Sequence, residues 1–223
     1  MTDQPPTPPA SPGPAFRHGF TRHWPGYFEA VVGKGPRETA VRALDAFARE
    51  GLPAEGGAPP LAVDLGCGEG RDSAEMLRRG WRVVAIDGTE SAFEYFARRE
   101  GLLSHPNLET RLEPFETCSV PLCRFVNASY SLPFCRPEAF DALWKVIRAA
   151  IEPGGRFAGQ FFGPHDTWAS IPDRSHHSRL RVEKMLLGLD VEYFKEEESD
   201  SVDAEGQDKH WHVFHVVARQ PAD

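Results

Sequence analysis

The sequence has no run approaching the roughly 18 uninterrupted apolar residues that a membrane span needs. It has no basic N-terminal stretch followed by an apolar core, so no export signal is read and a cytoplasmic location is expected. Cysteine is scarce. Cys67, Cys118, Cys123 and Cys135 are the four, and none stands in Cys-x-x-Cys spacing. Its absence argues against a zinc ribbon or a redox pair and leaves reduced packing cysteines as the expectation. Positive charge is in deficit, with 25 Lys and Arg against 33 Asp and Glu and a net charge of −8. Non-specific nucleic-acid binding needs a basic footprint, so neither a nucleic-acid nor a membrane partner is expected. Nothing in the residues bears on oligomeric state.

What is present fits one domain of ordinary size with a real core. Residues 1–14 hold six prolines and almost nothing apolar, and read as a disordered tail. Residues 15–55 read as an N-terminal strap, rich in aromatics, Arg and His, that runs into a helix and is placed to act as a lid. In the helix Ala40, Leu44 and Phe47 recur at helical spacing and Gly51 fits a C-terminal cap. Residues 56–223 form the main domain. There, short apolar runs suited to buried parallel strands alternate with amphipathic helices. The strands read as "LAVDLG", "WRVVAID", "LETRLEPF", "RFVNASYSLPF" and "RFAGQFF", with "EPGG" as the turn before the last. Pro137 opens a helix whose Phe140, Leu143, Trp144, Ile147 and Ile151 lie on one face. Two further strand-like runs, "VEYFK" and "HWHVFHVVAR", have no helix between them and should pair antiparallel or flank a common neighbour. Their connector, residues 196–208, reads as a solvated acidic loop. The expected class is an open α/β sheet, mostly parallel, with helices on both faces.

"VDLGCGEGRDS", Val63 to Ser73, marks the ligand-binding end. In open parallel sheets ligands sit at the carboxyl ends of the strands, beside the first strand. The phosphate-binding pattern is G-x-G-x-x-G, whereas Gly66, Gly68 and Gly70 stand as G-x-G-x-G. Asp64, two places ahead, would repel a pyrophosphate and suits a ligand carrying an ammonium group and a cationic centre. Asp87 ends the second strand, 19 residues after Gly68, where a carboxylate can accept two hydrogen bonds from ribose hydroxyls.

"VDLGCGEGRDS" followed by "VVAIDGTESAF" resembles the first two motifs of class I S-adenosylmethionine-dependent methyltransferases. Within that class, "GCGEGRDS", "WPGYFEAVVGKGPRETAVRAL" and "KHWHVFHVVARQ" are similar to the tellurite-resistance methyltransferase group. The resemblance implies a Rossmann-like seven-stranded sheet with the last strand antiparallel between the fifth and sixth. It implies S-adenosyl-L-methionine as cofactor. It would place Asp64, Gly66, Cys67, Gly68 and Gly70 along the methionine part, Arg71 on the methionine carboxylate and Asp87 on the ribose. Gly88, Thr89, Glu113 and Phe115 would lie about the adenine, and Asn127 to Tyr130 would face the transferred methyl.

Tyr130, His165 and Asp166 are the candidates for catalytic roles, and Arg22, Trp24 and Arg37 of the strap for substrate contacts. Methyl transfer from a sulfonium is an in-line displacement that expels a neutral thioether. The protein's task is alignment, and a base is required only for a nucleophile that arrives protonated. His210 and His212 share one face of a strand and His215 points to the other. With no carboxylate or cysteine read beside them, no metal is expected. The leading reading is a methyltransferase acting on a small-molecule acceptor such as a thiol, oxyanion or carboxylate. The competing readings are a non-catalytic S-adenosylmethionine-binding protein or subunit and a nicotinamide-dependent oxidoreductase. The last calls for G-x-G-x-x-G and a Tyr-x-x-x-Lys pair, which the sequence lacks.

Overall fold

The computed structural model describes residues 23–222. The proline-rich segment 1–14 and Arg22 lie outside them. Two helices come first, α1 (Trp24–Val31) and α2 (Glu38–Arg49). There follow β1 (Leu61–Leu65), α3 (Arg71–Arg78), β2 (Arg82–Asp87), α4 (Glu90–Phe96), β3 (Leu108–Leu112) and β4 (Cys123–Ala128). The chain ends with α5 (Pro137–Ala150), β5 (Ile151–Phe162), α6 (Arg179–Met185), β6 (Asp190–Val202) and β7 (Asp208–Arg219). The seven strands form one sheet in the order β3-β2-β1-β4-β5-β7-β6. All neighbours are parallel except at β7, which runs antiparallel to both β5 and β6. The α/β sheet expected from the sequence is thus present, with its antiparallel last strand in the expected place.

Strand residues alternate between two apolar layers, as the pleat requires. Val63, Leu65, Val84 and Val126 face Phe140, Trp144 and Ile147 of α5 and Val182 of α6. Ala62, Val83, Ala85 and Phe125 face the other way, onto Leu44 and Phe47 of α2 and Met76 of α3. Phe47 is fully buried and packs edge-on to Trp81 and Phe125. Burying a side chain of that size contributes about 1.5–3 kcal/mol.

Three local readings change. Residues 113–122 cross from β3 to β4 without a helix. Pro114 and Pro121 stand at either end of a stretch too short to hold one. The Glu152–Gly155 turn lies inside β5: Cys123 pairs with Ile151 and Phe125 with Arg156, so residues 152–155 bulge out of register. The acidic segment is mostly strand. Residues 196–202 belong to β6 and pair with β7, and only residues 203–207 turn the chain.

Arg156, 2% exposed, ties α2 to the far edge of the sheet. It donates to both oxygens of Glu50, at 2.9 and 2.5 Å, and to both of Glu192, at 2.7 and 2.8 Å. Arg156→Met is expected to lower stability by about 2 kcal/mol. Removing one partner of a buried ion pair costs more than that, but Glu50 and Glu192 keep part of their hydration. Urea unfolding measures it, and a loss below about 0.5 kcal/mol would reduce the network to surface charge.

Candidate active site

At Leu65 the chain leaves β1 and turns on Gly66 and Gly68, at φ 74 and 53. The amides of Gly66 and Cys67 donate to the Ile86 carbonyl, at 2.7 and 3.0 Å, which folds the loop over the end of β2. Gly70, at φ 80, begins α3, and a Cβ there would stand 2.5 Å from the Phe96 ring. Asp87 locks this loop to the next one. One carboxylate oxygen accepts the Gly68 amide and the other the Thr89 amide, both at 2.9 Å. Burial raises the Asp87 carboxyl above its ordinary value, against those two bonds.

Beneath the loop lies a buried polar layer. The Asn127 amide donates to Asp64 at 2.9 Å and to Asp72 at 3.0 Å. The Ser73 hydroxyl donates to Asp64 at 2.6 Å, and the Arg37 backbone amide to Asp72 at 2.8 Å. Two carboxylates thus share one side-chain amide. Burial, and then the nearness of Asp72, push the Asp64 carboxyl up to about 7. In the folded chain Asp64 therefore holds its proton between about pH 4 and 7, where the unfolded chain has released it. Its contribution to stability is full below pH 4 and is lost as pH rises through 7. Asp64→Asn is expected to remove this component. Measured by urea unfolding at pH 5 and pH 8, the variant's stability relative to wild type should rise by about 1 kcal/mol or more. An unchanged difference would place the Asp64 carboxyl near its ordinary value.

The loop forms one wall of a cleft whose empty space, counted to its open mouth, is about 1010 Å³. Of the expected cofactor contacts, Asp64, Gly66, Cys67, Gly68, Arg71, Asp87, Gly88, Thr89 and Phe115 line it, together with Trp24, Arg37 and Tyr130. Arg71 lines it while paired with Glu69 at 2.7 Å. Gly88 and Pro114 make a narrow slot, because a Cβ on Gly88 would lie 3.2 Å from the Pro114 Cα. Others stand elsewhere. Gly70 starts α3 against the Phe96 ring, and Asn127 bonds Asp64 and Asp72 beneath the loop. Glu113 turns away and accepts the Ser119 amide at 3.0 Å, which caps the β3–β4 connection.

His165 and Asp166 do not line the cleft. Asp166 is buried, caps the turn at Trp168 at 2.9 Å and pairs with Lys209. Burial pushes its carboxyl up, but the bonds from His176 and Lys209 outweigh this and hold it below the usual range. The Lys209 ammonium lies 3.9 Å from the Trp168 ring centre and 4.4 Å from that of Trp211. His165 is exposed and reaches Glu198 at 3.2 Å. The β6–β7 register also sets Glu198 opposite His212 and Asp200 opposite His210. Carboxylates do stand beside these histidines, contrary to the expectation from sequence, because residues 196–202 pair in a strand.

Tyr130 follows β4 in a left-handed conformation, φ 54, that a non-glycine residue adopts at a cost. Its amide is held by Gln160 at 2.8 Å, and Gln160 donates in turn to Thr39 at 2.8 Å. The Arg37 guanidinium lies 4.4 Å over its ring. Burial raises the Tyr130 hydroxyl, so it stays protonated at neutral pH.

The sequence missed most of the cleft's outer end. Tyr27 and Phe28 join Trp24 on α1, whose Trp24 ring meets Phe134 edge-on at 4.9 Å. Arg136, Asp173 and Arg174 complete that end. The spacing of Trp24, Tyr27 and Phe28 is helical, but the intervening Pro25-Gly26 hid it. Arg174 comes from a loop with no pattern to read.

Residues 62–155 match the methyltransferase domain family. Over that segment the chain carries a methyltransferase domain. Its cofactor is S-adenosylmethionine, and the cleft fits it: an acid at the end of β2, a glycine loop at the end of β1 and an apolar slot between them. The methyltransferase shares its fold with several solved structures. TehB from Haemophilus influenzae aligns with a TM-score of 0.64 and 15% identity over 79% of this chain, which spans 61% of that one. Magnesium protoporphyrin IX methyltransferase from Synechocystis, with S-adenosylmethionine bound, aligns at 0.59 and 16% over 89% of this chain and 91% of that one. A Burkholderia thailandensis 1,6-didemethyltoxoflavin-N1-methyltransferase, with its substrate and S-adenosylhomocysteine, aligns at 0.53 and 23% over 82% and 79%. No curated protein matches the sequence. Among the described residues no helix is long and apolar enough to cross a membrane.

Proposed function

We propose that the methyltransferase acts on a small, flat, anionic acceptor. The observation that carries this is the outer end of the cleft, where the rings of Trp24, Tyr27 and Phe134 stand beside the guanidinium groups of Arg37, Arg136 and Arg174. Aromatic faces hold a planar body, and guanidinium groups hold an oxyanion or carboxylate. S-adenosylmethionine supplies an electrophilic methyl on a sulfonium. Asp87 would accept the ribose hydroxyls, the slot at Gly88, Pro114 and Phe115 would take the adenine, and Arg71 would reach the methionine carboxylate. The acids about Asp64, Glu69 and Asp72 suit the ligand's ammonium and sulfonium charges. Tyr130, fixed by Gln160 and Arg37, would direct the acceptor, and the α1 segment would cover it as a lid.

The acceptor in this reading arrives deprotonated, as a thiolate, oxyanion or carboxylate, and alignment then suffices. Calorimetric titration with S-adenosylhomocysteine and NAD, then a tritiated-methyl assay over a panel of small anions, amines and nucleic acids, tests the reading. Tight binding of S-adenosylhomocysteine without NAD, and turnover confined to small anions, is expected. Labelled nucleic acid, or turnover of neutral amines alone, would overturn the acceptor class. Binding of the cofactor with no turnover of any class would mark a binding protein.

A further inference from the structure

We infer that His165, His212 and Glu198 form a binding site for one divalent first-row transition-metal ion, with Zn²⁺ as the probe. One donor atom from each residue lies within 4.8 Å of the others, a spread that one small ion can draw together. The tautomer of His212 favours this. Its Nε2 stands 3.0 Å from the Glu196 carboxylate, so Nε2 carries the proton and donates it there. The lone pair is then on Nδ1, on the side of His165, where it accepts the His165 backbone amide in a long bond of 3.2 Å that a metal at Nδ1 would replace. A carboxylate behind the far nitrogen of a ligating histidine is the usual outer support of such sites. The His165 and His212 rings lie 4.8 Å apart, and Nδ1 of His165 is 3.2 Å from Oε1 of Glu198. His210 reaches the same oxygen of Glu198, its Nε2 at 3.2 Å from Oε1, while its Nδ1 is on Asp200 at 2.7 Å.

Two imidazoles and one carboxylate are a borderline donor set. It suits Zn²⁺, Ni²⁺ or Cu²⁺ and not Mg²⁺ or Ca²⁺, which take oxygen cages. Three protein ligands leave a fourth tetrahedral position for water. The site lies outside the cofactor cleft. It joins the start of the loop between β5 and α6 to the β6–β7 hairpin. Further along that loop Asp173 and Arg174 reach the outer end of the cleft. An ion there staples the base of the loop to the sheet edge.

Titration of the untagged full chain with ZnCl₂ by calorimetry, at pH 7.5, tests this. One ion per chain is expected, with the melting temperature raised and no response to MgCl₂. His165→Ala and Glu198→Gln alter exposed side chains and leave the fold intact. Each should weaken the binding at least tenfold, and His23→Ala should not change it. Absence of binding below about 100 μM, or equal binding by wild type and both variants, would overturn the site and leave a hydrogen-bonded surface ladder.

Discussion

Asp87→Ala is expected to weaken S-adenosylhomocysteine binding by about 100- to 1,000-fold. A hydrogen bond to a charged group contributes about 1.5–2 kcal/mol at the low end of its range, and two to the ribose make about 3–4 kcal/mol. That is two to three decades at 1.4 kcal/mol each. Asp87 also accepts the Gly68 and Thr89 amides, so the variant loosens both loops that shape the cleft. Calorimetry of a variant shown folded by circular dichroism gives the answer. A loss under tenfold would mean that Asp87 only ties loops together and makes no ribose contact.

Gly66→Ala is expected to cost about 2–5 kcal/mol of stability. Its φ of 74 is left-handed, which costs an L-residue about 1–2 kcal/mol. A Cβ there would lie 2.3 Å from the Ser131 Cβ, and overpacking a filled site costs about 1–3 kcal/mol more. The two parts can be separated. Adding Ser131→Gly removes the struck atom and leaves the backbone strain, so the double variant should recover part of the loss in urea unfolding. No recovery, or a single variant as stable as wild type, would contradict the close approach of the two loops.

The half of the cleft built on the glycine loop was legible because its residues are local in sequence. Asp64 to Thr89 span two strand ends, and each glycine and acid there has one conformational or hydrogen-bonding reason to be where it is. The outer half was legible only at Trp24 and Arg37. Tyr27 precedes the matched segment, Phe134 and Arg136 fall within it, and Asp173 and Arg174 follow it. Each of these alone reads as core or surface, and only the fold makes them neighbours. His165 and Asp166 showed the reverse hazard. Their place at the end of β5 suggested chemistry, yet Asp166 spends its carboxylate on Lys209 and on a turn. The sheet itself was readable wherever strands are buried on both faces. It failed over residues 196–202 of β6, where the strand has no apolar period and its acids resemble a loop.

That strand has a bearing on solubility. A sheet edge of thirteen residues exposes a row of unpaired amides and carbonyls on which another chain can polymerise. β6 carries six acids against one lysine along that row. A second copy aligned on it would set carboxylate against carboxylate. The stretch that looked like a featureless connector is therefore an edge strand whose acids disfavour pairing with a second copy of itself.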